Sequence, residues 1–534
     1  MAIDTKETPA LRTRYPGSKP FTRDDEALFF GRDEDISKLG TFITVEKTTV
    51  LYGKSGLGKT SLLNAGVVPK LEADYQYHVI PIRFGSYTQG NLRHPLDIAE
   101  EGIAAFPHQE SFLTKLDLED VSLWLHIKSL ELALPEHTTF LLVFDQFEEL
   151  FTYPEGVNEF AQTLADLLYG RTPEDSQRAL RLATRNDSSL ITPGQWEFLR
   201  RPVNLKVLMS IRSDRMSLLD TLASQIPSIL LNCYELKPLS RAQAEDAITS
   251  PAQRAGQFLT RPFTYQQEAL DKILNYLTQN KTKPIESFQL QILCAYVEEL
   301  LAITKSKYVE ESDIGNLEGI YQNYYDSSIK KLGTEEEQMK ARVFIEEGLV
   351  FANENRRISL YEGQIHDMFD ISAEFLRKLT DTHIIRSEPH SAGGYLYEVS
   401  HDTLVAPILK AKALRYRRIH EEKLQRELSE QKKKRRRMLI RFALLIAFPG
   451  ICATLFSLWM KYDNQMAEIA FLEVVAGFFF YGIILLCLIA FMLSVVTFVI
   501  EFVSGESILS RLRKRADNPA KQKGFLTKVG RWLS

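Results

Sequence analysis

The stretch Thr48-Thr49-Val50-Leu51-Tyr52-Gly53-Lys54-Ser55-Gly56-Leu57-Gly58-Lys59-Thr60 joins an apolar run to a glycine-rich loop. Residues 48–52 favour a strand and residues 61–71 favour a helix, so a phosphate-binding loop is predicted between them. The glycines let backbone N–H groups surround phosphate oxygens, and the helix N-terminus adds the positive end of its dipole. We expect Lys59 to reach the outer phosphates and the Thr60 hydroxyl to bind Mg²⁺. The residues of this segment expected to contact a nucleotide are Gly53, Lys54, Ser55, Gly56, Leu57, Gly58, Lys59, Thr60 and Ser61.

A second apolar strand, Phe140-Leu141-Leu142-Val143-Phe144-Asp145, ends in an acid. Strands of a parallel sheet are buried on both faces, so a continuous apolar run suits the centre of an α/β sheet. Asp145, at its carboxyl end, is placed to hold Mg²⁺ through water. Gln146 follows where many P-loop ATPases carry a water-activating glutamate, and it can orient water but not take its proton. Glu148 or Glu149 would have to serve instead, so binding is better supported than turnover and we expect slow hydrolysis.

A third strand, Val207-Leu208-Met209-Ser210-Ile211, is followed by Arg212. An arginine at the carboxyl end of such a strand can contact a γ-phosphate and report its presence. A solvated arginine in a loop is an equally good interpretation of this residue alone. The candidate catalytic residues are Lys59, Asp145, Glu148, Glu149 and Arg212, with Thr60 and Asp145 as the candidate metal ligands.

Charge is distributed unevenly along the 534 residues. From Lys410 onward there are 23 basic and 10 acidic residues, so that part carries +13 and residues 1–409 carry −17. Duplex nucleic acid requires clustered basic residues, so it is not an expected partner, whereas a basic C-terminal part suits an anionic membrane surface.

The four scattered cysteines predict neither a disulfide framework nor a zinc site. Residues 1–24 have no apolar signal-peptide core, and we predict a flexible N-terminal arm.

Two long apolar segments occupy residues 438–460 and 474–500. About 20 apolar residues cross the hydrocarbon core of a bilayer, so we predict a transmembrane helical hairpin over residues 438–503. Basic clusters precede the first segment and follow the second, which places both termini on the cytoplasmic side. Two buried helices of a soluble protein are the alternative. Glu473 and Glu501 either line a path in an oligomer or extend to the lipid headgroups.

The motifs together resemble the STAND ATPases, specifically the bacterial novel-STAND branch related to NLR immune receptors. Residues 29–34 are similar to the family's opening motif, which implies that Phe30, Gly31 and Arg32 help to hold adenine. Residues 142–151 are very close to the metal-binding strand of that branch.

The resemblance also assigns roles to three residues farther along the chain. Arg212 falls at the family's sensor position, and Pro238 resembles the proline that packs on adenine. His401, within Val399-Ser400-His401-Asp402-Thr403-Leu404, resembles the histidine that contacts the β-phosphate of ADP and holds a closed state. The long repeat array that usually senses the trigger in this family has no counterpart here, because the sequence shows no internal period.

The predicted fold is an α/β P-loop NTPase with an ASCE-type sheet, followed by a helical bundle, a winged-helix domain and a C-terminal transmembrane α-helical hairpin. The helical bundle is indicated by an apolar stripe at i, i+3, i+4 and i+7, formed by Leu270, Ile273, Leu274 and Leu277. In the winged helix, residues 383–387 and 394–400 are predicted as the two strands of a hairpin. We interpret residues 411–437 as one continuous helix that either transmits a change to the membrane or acts as a passive tether. The predicted boundaries are 1–24 for the arm, 25–240 for the ATPase domain, 241–343 for the helical domain, 344–410 for the winged helix, 411–437 for the linker, 438–503 for the hairpin and 504–534 for a basic cytoplasmic tail.

The leading functional hypothesis is a switch between ADP and ATP, with Mg²⁺, in a protein held at the bacterial inner membrane. The resemblance implies that a trigger promotes exchange to ATP and homo-oligomerisation. A phage component, a separate sensor protein and binding to residues 1–22 are the alternatives for activation. The clustered hairpins would then perturb the inner membrane lipid in antiphage defence. A membrane-anchored signalling or scaffolding ATPase without a lethal effector is the main alternative, and an ATP-driven transporter ranks last.

Overall fold

The computed structural model describes residues 12–85, 87, 93–106, 112–113, 122–135, 138–185, 190–279, 283–390 and 394–463, with scattered residues between 477 and 496. The chain divides into two compact units, Met1–Leu414 and Arg415–Ser534. The candidate site residues all belong to the first unit. Most of the second predicted span, the acids Glu473 and Glu501, and the tail 504–534 lie outside the described residues.

A five-stranded parallel sheet forms the centre of the first unit, in the order β2-β3-β4-β1-β5. Three of its strands contain the apolar runs predicted from the sequence, while the edge strands β2 and β5 were not predicted. The strands are β1 (Thr48–Gly53), β2 (Tyr77–Ile82), β3 (Thr139–Phe144), β4 (Leu205–Arg212) and β5 (Cys233–Glu235). The parallel-sheet α/β prediction is therefore confirmed. The register sets Gly53 opposite Arg212, which brings the start of the glycine-rich loop beside the candidate sensor arginine.

Helices cover both faces of this sheet. Alternate side chains of β3 therefore belong to two different apolar clusters, one on each face. Phe140, Leu142 and Phe144 belong to one cluster, and Leu141 and Val143 belong to the other. The helices of this part are α1 (Asp33–Val45), α2 (Lys59–Leu62), α3 (Val68–Tyr75), α4 (Pro95–Ala104), α5 (Leu123–Ala133), α6 (Val157–Leu168), α7 (Glu174–Ala183) and α8 (Pro193–Arg200). Strands buried on both sides explain why the three predicted runs are continuously apolar.

A helical group follows the sheet. Its apolar stripe of Leu270, Ile273, Leu274 and Leu277 is buried, as the helical spacing predicted. The elements are α9 (Arg241–Ala252), β6 (Thr264–Tyr265), α10 (Gln267–Leu277), α11 (Ser287–Thr304), β7 (Tyr308–Val309), α12 (Glu311–Ile314), α13 (Leu317–Lys330) and α14 (Glu335–Val343). Strands β6 and β7 pair in parallel.

The 344–410 region contains short strands and helices, including the hairpin that the sequence predicted on either side of residue 391. The elements are β8 (Val350–Phe351), β9 (Arg356–Arg357), β10 (Leu360–Tyr361), α15 (Glu362–Phe369), α16 (Ala373–Asp381), β11 (Ile385–Pro389) and β12 (Tyr395–Val399). Strand β12 lies between β10 and β11, and both pairings are antiparallel. His383, which we placed in the first hairpin strand, precedes it and has a positive φ of 59°.

Helix α17 spans Val405–Asp463. It contains residues 411–437 without interruption, so the prediction of a continuous helix there is confirmed. Within the described part of the chain, no helix has both the length and the apolar character needed to cross a membrane.

The N-terminal arm is not flexible over its second half. Arg14 and Tyr15 are 0% and 1% exposed, and the Arg14 guanidinium lies 2.8 Å from Oε1 of Glu298 on α11. The Tyr15 hydroxyl donates to the carbonyl of Ile248. Polar composition suggested disorder, but one arginine and one tyrosine find buried partners far away in sequence. Residues 1–11 of the predicted arm lie outside the described residues.

Candidate nucleotide-binding site

The glycine-rich loop leaves the buried strand β1 and leads directly into α2. Gly56 and Gly58 have φ values of +82° and +90°, which L-residues with a side chain rarely adopt. The Lys59 ammonium folds back over the loop and donates to the carbonyls of Gly53 at 2.9 Å and Lys54 at 3.4 Å. Burial lowers the Lys59 pKa, while the charges of Glu148 and Asp145 act in the opposite direction. The loop therefore has the shape and charge of an anion cradle.

Thr60 and Asp145 meet at the carboxyl end of the sheet, as the sequence predicted. The Thr60 hydroxyl donates to Oδ2 of Asp145 at 2.7 Å, and the other carboxylate oxygen accepts from the backbone N–H of Gln146 at 3.0 Å. A hydroxyl and a carboxylate in contact suit Mg²⁺, which prefers oxygen ligands and keeps several waters. The donor set of this chain thus fits the cation that the sequence predicted.

The two candidate bases, Glu148 and Glu149, have different surroundings. Glu149 accepts from the backbone N–H of Gly85 at 2.9 Å and forms an ion pair with Arg83 at 3.4 Å. Glu148 is held less tightly, since its buried Oε2 has no hydrogen-bond partner among the described residues. Burial raises the pKa of both carboxyls, and the charge of Arg83 acts in the opposite direction on Glu149. Glu148 is consequently the carboxylate that remains available for water.

Arg83 also lies at this site, and it was not predicted from the sequence. It directly follows β2, and its guanidinium also donates to the side-chain carbonyl of Gln146. The signal was present in the β-rich run Tyr77-His78-Val79-Ile80-Pro81-Ile82. Recognising that run as a strand would have placed Arg83 at the same sheet edge as Asp145 and Arg212.

Arg212 is held by carboxylates from two parts of the chain. Its Nε and one terminal nitrogen donate to Asp214 at 3.0 and 2.9 Å, and its other terminal nitrogen donates to Glu388 on β11. Burial acts to lower the Arg212 pKa, but the hydrogen bond to Asp214 and the charge of Glu388 outweigh it, so the pKa is raised. The alternative of a solvated loop arginine is wrong, because the Arg212 side chain is only 20% exposed.

His401 reaches the glycine-rich loop from the far end of the 344–410 region. A Cβ built on Gly56 would lie 3.2 Å from Cδ2 of His401, so only glycine gives the imidazole this approach without displacement. The ring stacks on Phe288 with centroids 5.0 Å apart, and its Nε2 lies 3.0 Å from Oε2 of Glu286. The Nδ1 lies 2.7 Å from the Thr403 hydroxyl. The imidazole is thereby fixed beside the loop.

The residues predicted to contact adenine, Phe30, Gly31, Arg32 and Pro238, occupy different positions relative to the glycine-rich loop. Arg32 is buried and donates to the carbonyls of Leu57 at 3.1 Å and Lys237 at 2.8 Å, so it supports the loop from one side. Gly31 has a φ of +80°, and its N–H donates to Asp246 at 2.9 Å. Phe30 lines the cavity, whereas Gly31 and Pro238 do not.

A cavity of about 590 Å³ unites most of these side chains. Gly31, Gly53, Lys54 and Pro238 lie outside its lining, while the sequence analysis missed the contribution of residues 17–21. The backbone N–H of Phe21 donates to the Ser61 hydroxyl at 3.1 Å, which ties that segment to α2. The predicted site residues that line the cavity are Phe30, Arg32, Ser55, Gly56, Leu57, Gly58, Lys59, Thr60, Ser61, Asp145, Glu148, Glu149, Arg212 and His401.

A family model described as Novel STAND NTPase 1 matches residues 15–437. The chain belongs to this family. It is a STAND-type, ATP-binding P-loop NTPase, and the family recognised from the sequence motifs is confirmed at that level. The match begins at Tyr15, so it includes the anchored part of the N-terminal arm. No curated protein matches the chain.

Solved structures that are similar to this chain include two proteins of Aeropyrum pernix. The ORC1 protein in complex with DNA has 14% identity and a TM-score of 0.38, with 74% of this chain and 98% of that chain covered. The ORC2 protein in its ADPNP-ADP complexes has 13% identity and a TM-score of 0.36, with coverage of 72% and 95%. CDC6P from Pyrobaculum aerophilum has 12% identity and a TM-score of 0.33, with coverage of 71% and 94%.

Proposed function

We propose that this STAND NTPase is a switch whose closed state is built around ADP and whose open state requires ATP. The observation that carries the proposal is the direct contact of the 344–410 region with the phosphate loop. His401 packs against Gly56, and Arg386 on β11 donates to the Ser55 hydroxyl. A region that touches the loop in this way responds to what the loop holds.

The chain's own residues have distinct roles toward the nucleotide in this proposal. Lys59 leaves the carbonyls it now occupies and neutralises the outer phosphate oxygens, while the loop N–H groups bind the remaining oxygens. Thr60 and Asp145 would hold Mg²⁺, which supplies charge neutralisation between the phosphates. In hydrolysis a water oxygen bonds to the terminal phosphorus, the bridging P–O bond breaks, and Glu148 accepts the water proton.

The open state, in our proposal, oligomerises and acts on the bacterial inner membrane through residues 438–503. The two apolar segments and their flanking basic clusters support this proposal, because such flanks favour a hairpin with both ends in the cytoplasm. The antiphage role follows from the family resemblance alone. Clustering needs only a modest coupling energy per subunit, because many subunits act together.

Nucleotide binding tests the core of the proposal. In the purified full-length chain, Lys59→Ala should abolish binding of both ATP and ADP, measured by equilibrium dialysis, because it removes the ammonium that folds back over the loop. Lys38→Ala is a matched control, since this exposed lysine pairs with Glu34 on the same helix. Binding retained by Lys59→Ala would overturn the site assignment.

Membrane attachment needs its own experiment. The full-length chain expressed in a bacterium should sediment with membranes and remain there after alkaline carbonate washing. Leu445→Arg in the first apolar segment should weaken this retention, whereas Leu424→Arg in the polar part of α17 should not. Release of the wild-type chain by carbonate would overturn the membrane proposal and leave the nucleotide switch standing.

A further inference from the structure

A single carboxylate, Glu388 on β11, bridges two arginines from different parts of the chain. It accepts from Arg212, which follows the central strand β4, and its Oε1 lies 2.8 Å from the guanidinium of Arg386. Arg386 in turn reaches the Ser55 hydroxyl in the phosphate loop and donates through Nε to Glu398 at 2.7 Å. The hairpin and the loop are thus joined by one continuous charged network.

The Arg212–Glu388 pair is partly withdrawn from water. The side chains are 20% and 14% exposed, so solvent screens the pair less than it would screen a surface pair. Asp214 already occupies Nε and one terminal nitrogen of Arg212, which leaves the second terminal nitrogen to Glu388. These bonds use three of the five guanidinium donors in a fixed planar fork, so an anion that approaches the donor held by Glu388 must displace that carboxylate.

Glu388 also lies where a terminal phosphate would bring negative charge. Arg212, Glu388, Ser55 and Lys59 all line the same cavity. The sheet register places Arg212 directly opposite Gly53, at the start of the phosphate loop. A phosphate beyond the β-position and the Glu388 carboxylate would therefore compete for one guanidinium and would repel each other.

We propose that Glu388 makes the closed site select the diphosphate over the triphosphate, by occupying the guanidinium of Arg212 that a γ-phosphate would require. This inference rests on the proposed nucleotide switch and names the residue that discriminates between its two ligands. ADP leaves the Arg212–Glu388 link intact, whereas ATP binds fully only after the link opens. The link therefore couples the terminal phosphate to the position of the hairpin.

Linkage makes the effect reciprocal. If hairpin closure lowers the affinity for the triphosphate, triphosphate binding must favour hairpin opening by the same factor. A ligand shifts a conformational equilibrium only by its differential affinity for the two states. In this chain that difference lies in whether Arg212 faces Glu388 or phosphate.

Glu388→Gln is the informative substitution, because glutamine keeps the shape of the side chain and removes its charge. In the full-length protein, calorimetric titration should show the ratio of the ATPγS and ADP dissociation constants falling about tenfold, the effect of one charge-assisted hydrogen bond. Glu354→Gln is the control, since this exposed glutamate of the same region pairs with Arg356. The control should leave the ratio unchanged.

The double variant Arg212→Ala with Glu388→Gln identifies the cause. In the Arg212→Ala background, Glu388→Gln should no longer change the ratio. An unchanged ratio in the single variant would overturn the inference, and so would an equal change with and without Arg212. Failure of the wild-type chain to bind either nucleotide would instead overturn the proposed function.

A second measurement needs no variant and so does not depend on the variant's folding. Amide hydrogen exchange in the wild-type chain should become faster in β11 and β12 when ATPγS replaces ADP. Exchange in α10, which the network does not touch, should stay constant. Equal protection of the hairpin with both nucleotides would overturn the inference.

Discussion

Replacing His401 with alanine should loosen the contact between the 344–410 region and the phosphate loop. His401 is 8% exposed, and three of its side-chain contacts reach other parts of the chain and cannot be made by alanine. It stacks on Phe288 with ring centroids 5.0 Å apart, and its Nε2 lies 3.0 Å from Oε2 of Glu286. It also packs against Gly56. These contacts hold the closed arrangement, and alanine removes them together.

The expected cost can be worked out from these contacts. An aromatic stack contributes about 1 kcal/mol beyond area burial. The hydrogen bond to Glu286 would contribute more if it were fully buried, but that carboxylate is 37% exposed, so we assign about 1 kcal/mol after screening. The closed arrangement should lose about 2 kcal/mol, which corresponds to a roughly 30-fold larger open fraction.

Amide hydrogen exchange measures this fraction. Peptides covering residues 53–60 and the start of α11 should exchange about 30-fold faster in His401→Ala than in the wild-type chain. His366→Ala is the matched control, because this exposed histidine lies in the same region and does not line the cavity. Exchange within about twofold of wild type would refute the reasoning, since it would mean that the imidazole does not hold the region closed.

Three further predictions follow from buried acids. Glu148→Gln should lower kcat for ATP hydrolysis by about 10²-fold or more, while Glu149→Gln mainly lowers thermal stability; equal kcat values for the two variants would contradict the assignment of the base. Since burial raises the pKa of Glu148 above 4.5, the acid limb of kcat/KM in the wild type should lie above pH 4.5, because the base works only when deprotonated. Arg14→Ala leaves Glu298 buried without its positively charged partner and should cost about 3–5 kcal/mol in urea unfolding. Arg12→Ala, whose pair with Asp25 is 52% exposed on the arginine side, should cost less than about 1 kcal/mol. Similar costs for the two arginine variants would show that the arm is not anchored by the buried pair.

The sequence predicts local elements well where burial is continuous. Strands β1, β3 and β4 are central, so their side chains are apolar on both faces and the pattern is clear. Strand β2 lies at the edge and contains His78 and Pro81, and β5 has only three residues. Such strands carry a weaker apolar signal, so the sequence analysis missed them, and Arg83 was missed with β2.

The site is predictable only as far as its motifs are local. Thr60 and Asp145 are 85 positions apart, yet each ends a recognisable motif, so their meeting could be expected. Arg386 and Ser55 are 331 positions apart, and nothing around Arg386 marks it as a loop contact. The burial of Arg14 is of the same kind, because its partner Glu298 is 284 positions away. Contacts of this sort depend on how the domains pack, which periodicity and motif spacing do not encode.

Three consecutive loop residues are contacted by two other parts of the chain, and this arrangement is the physical basis of the proposed switch. The Ser55 hydroxyl accepts from Arg386, Gly56 faces His401, and the Leu57 carbonyl accepts from Ser287 at 3.2 Å. A loop that rearranges around added phosphate must change all three contacts at once, because residues 55–57 are covalently joined. Coupling between nucleotide and domain arrangement then needs no long pathway. The helical group and the 344–410 region each contact the loop directly.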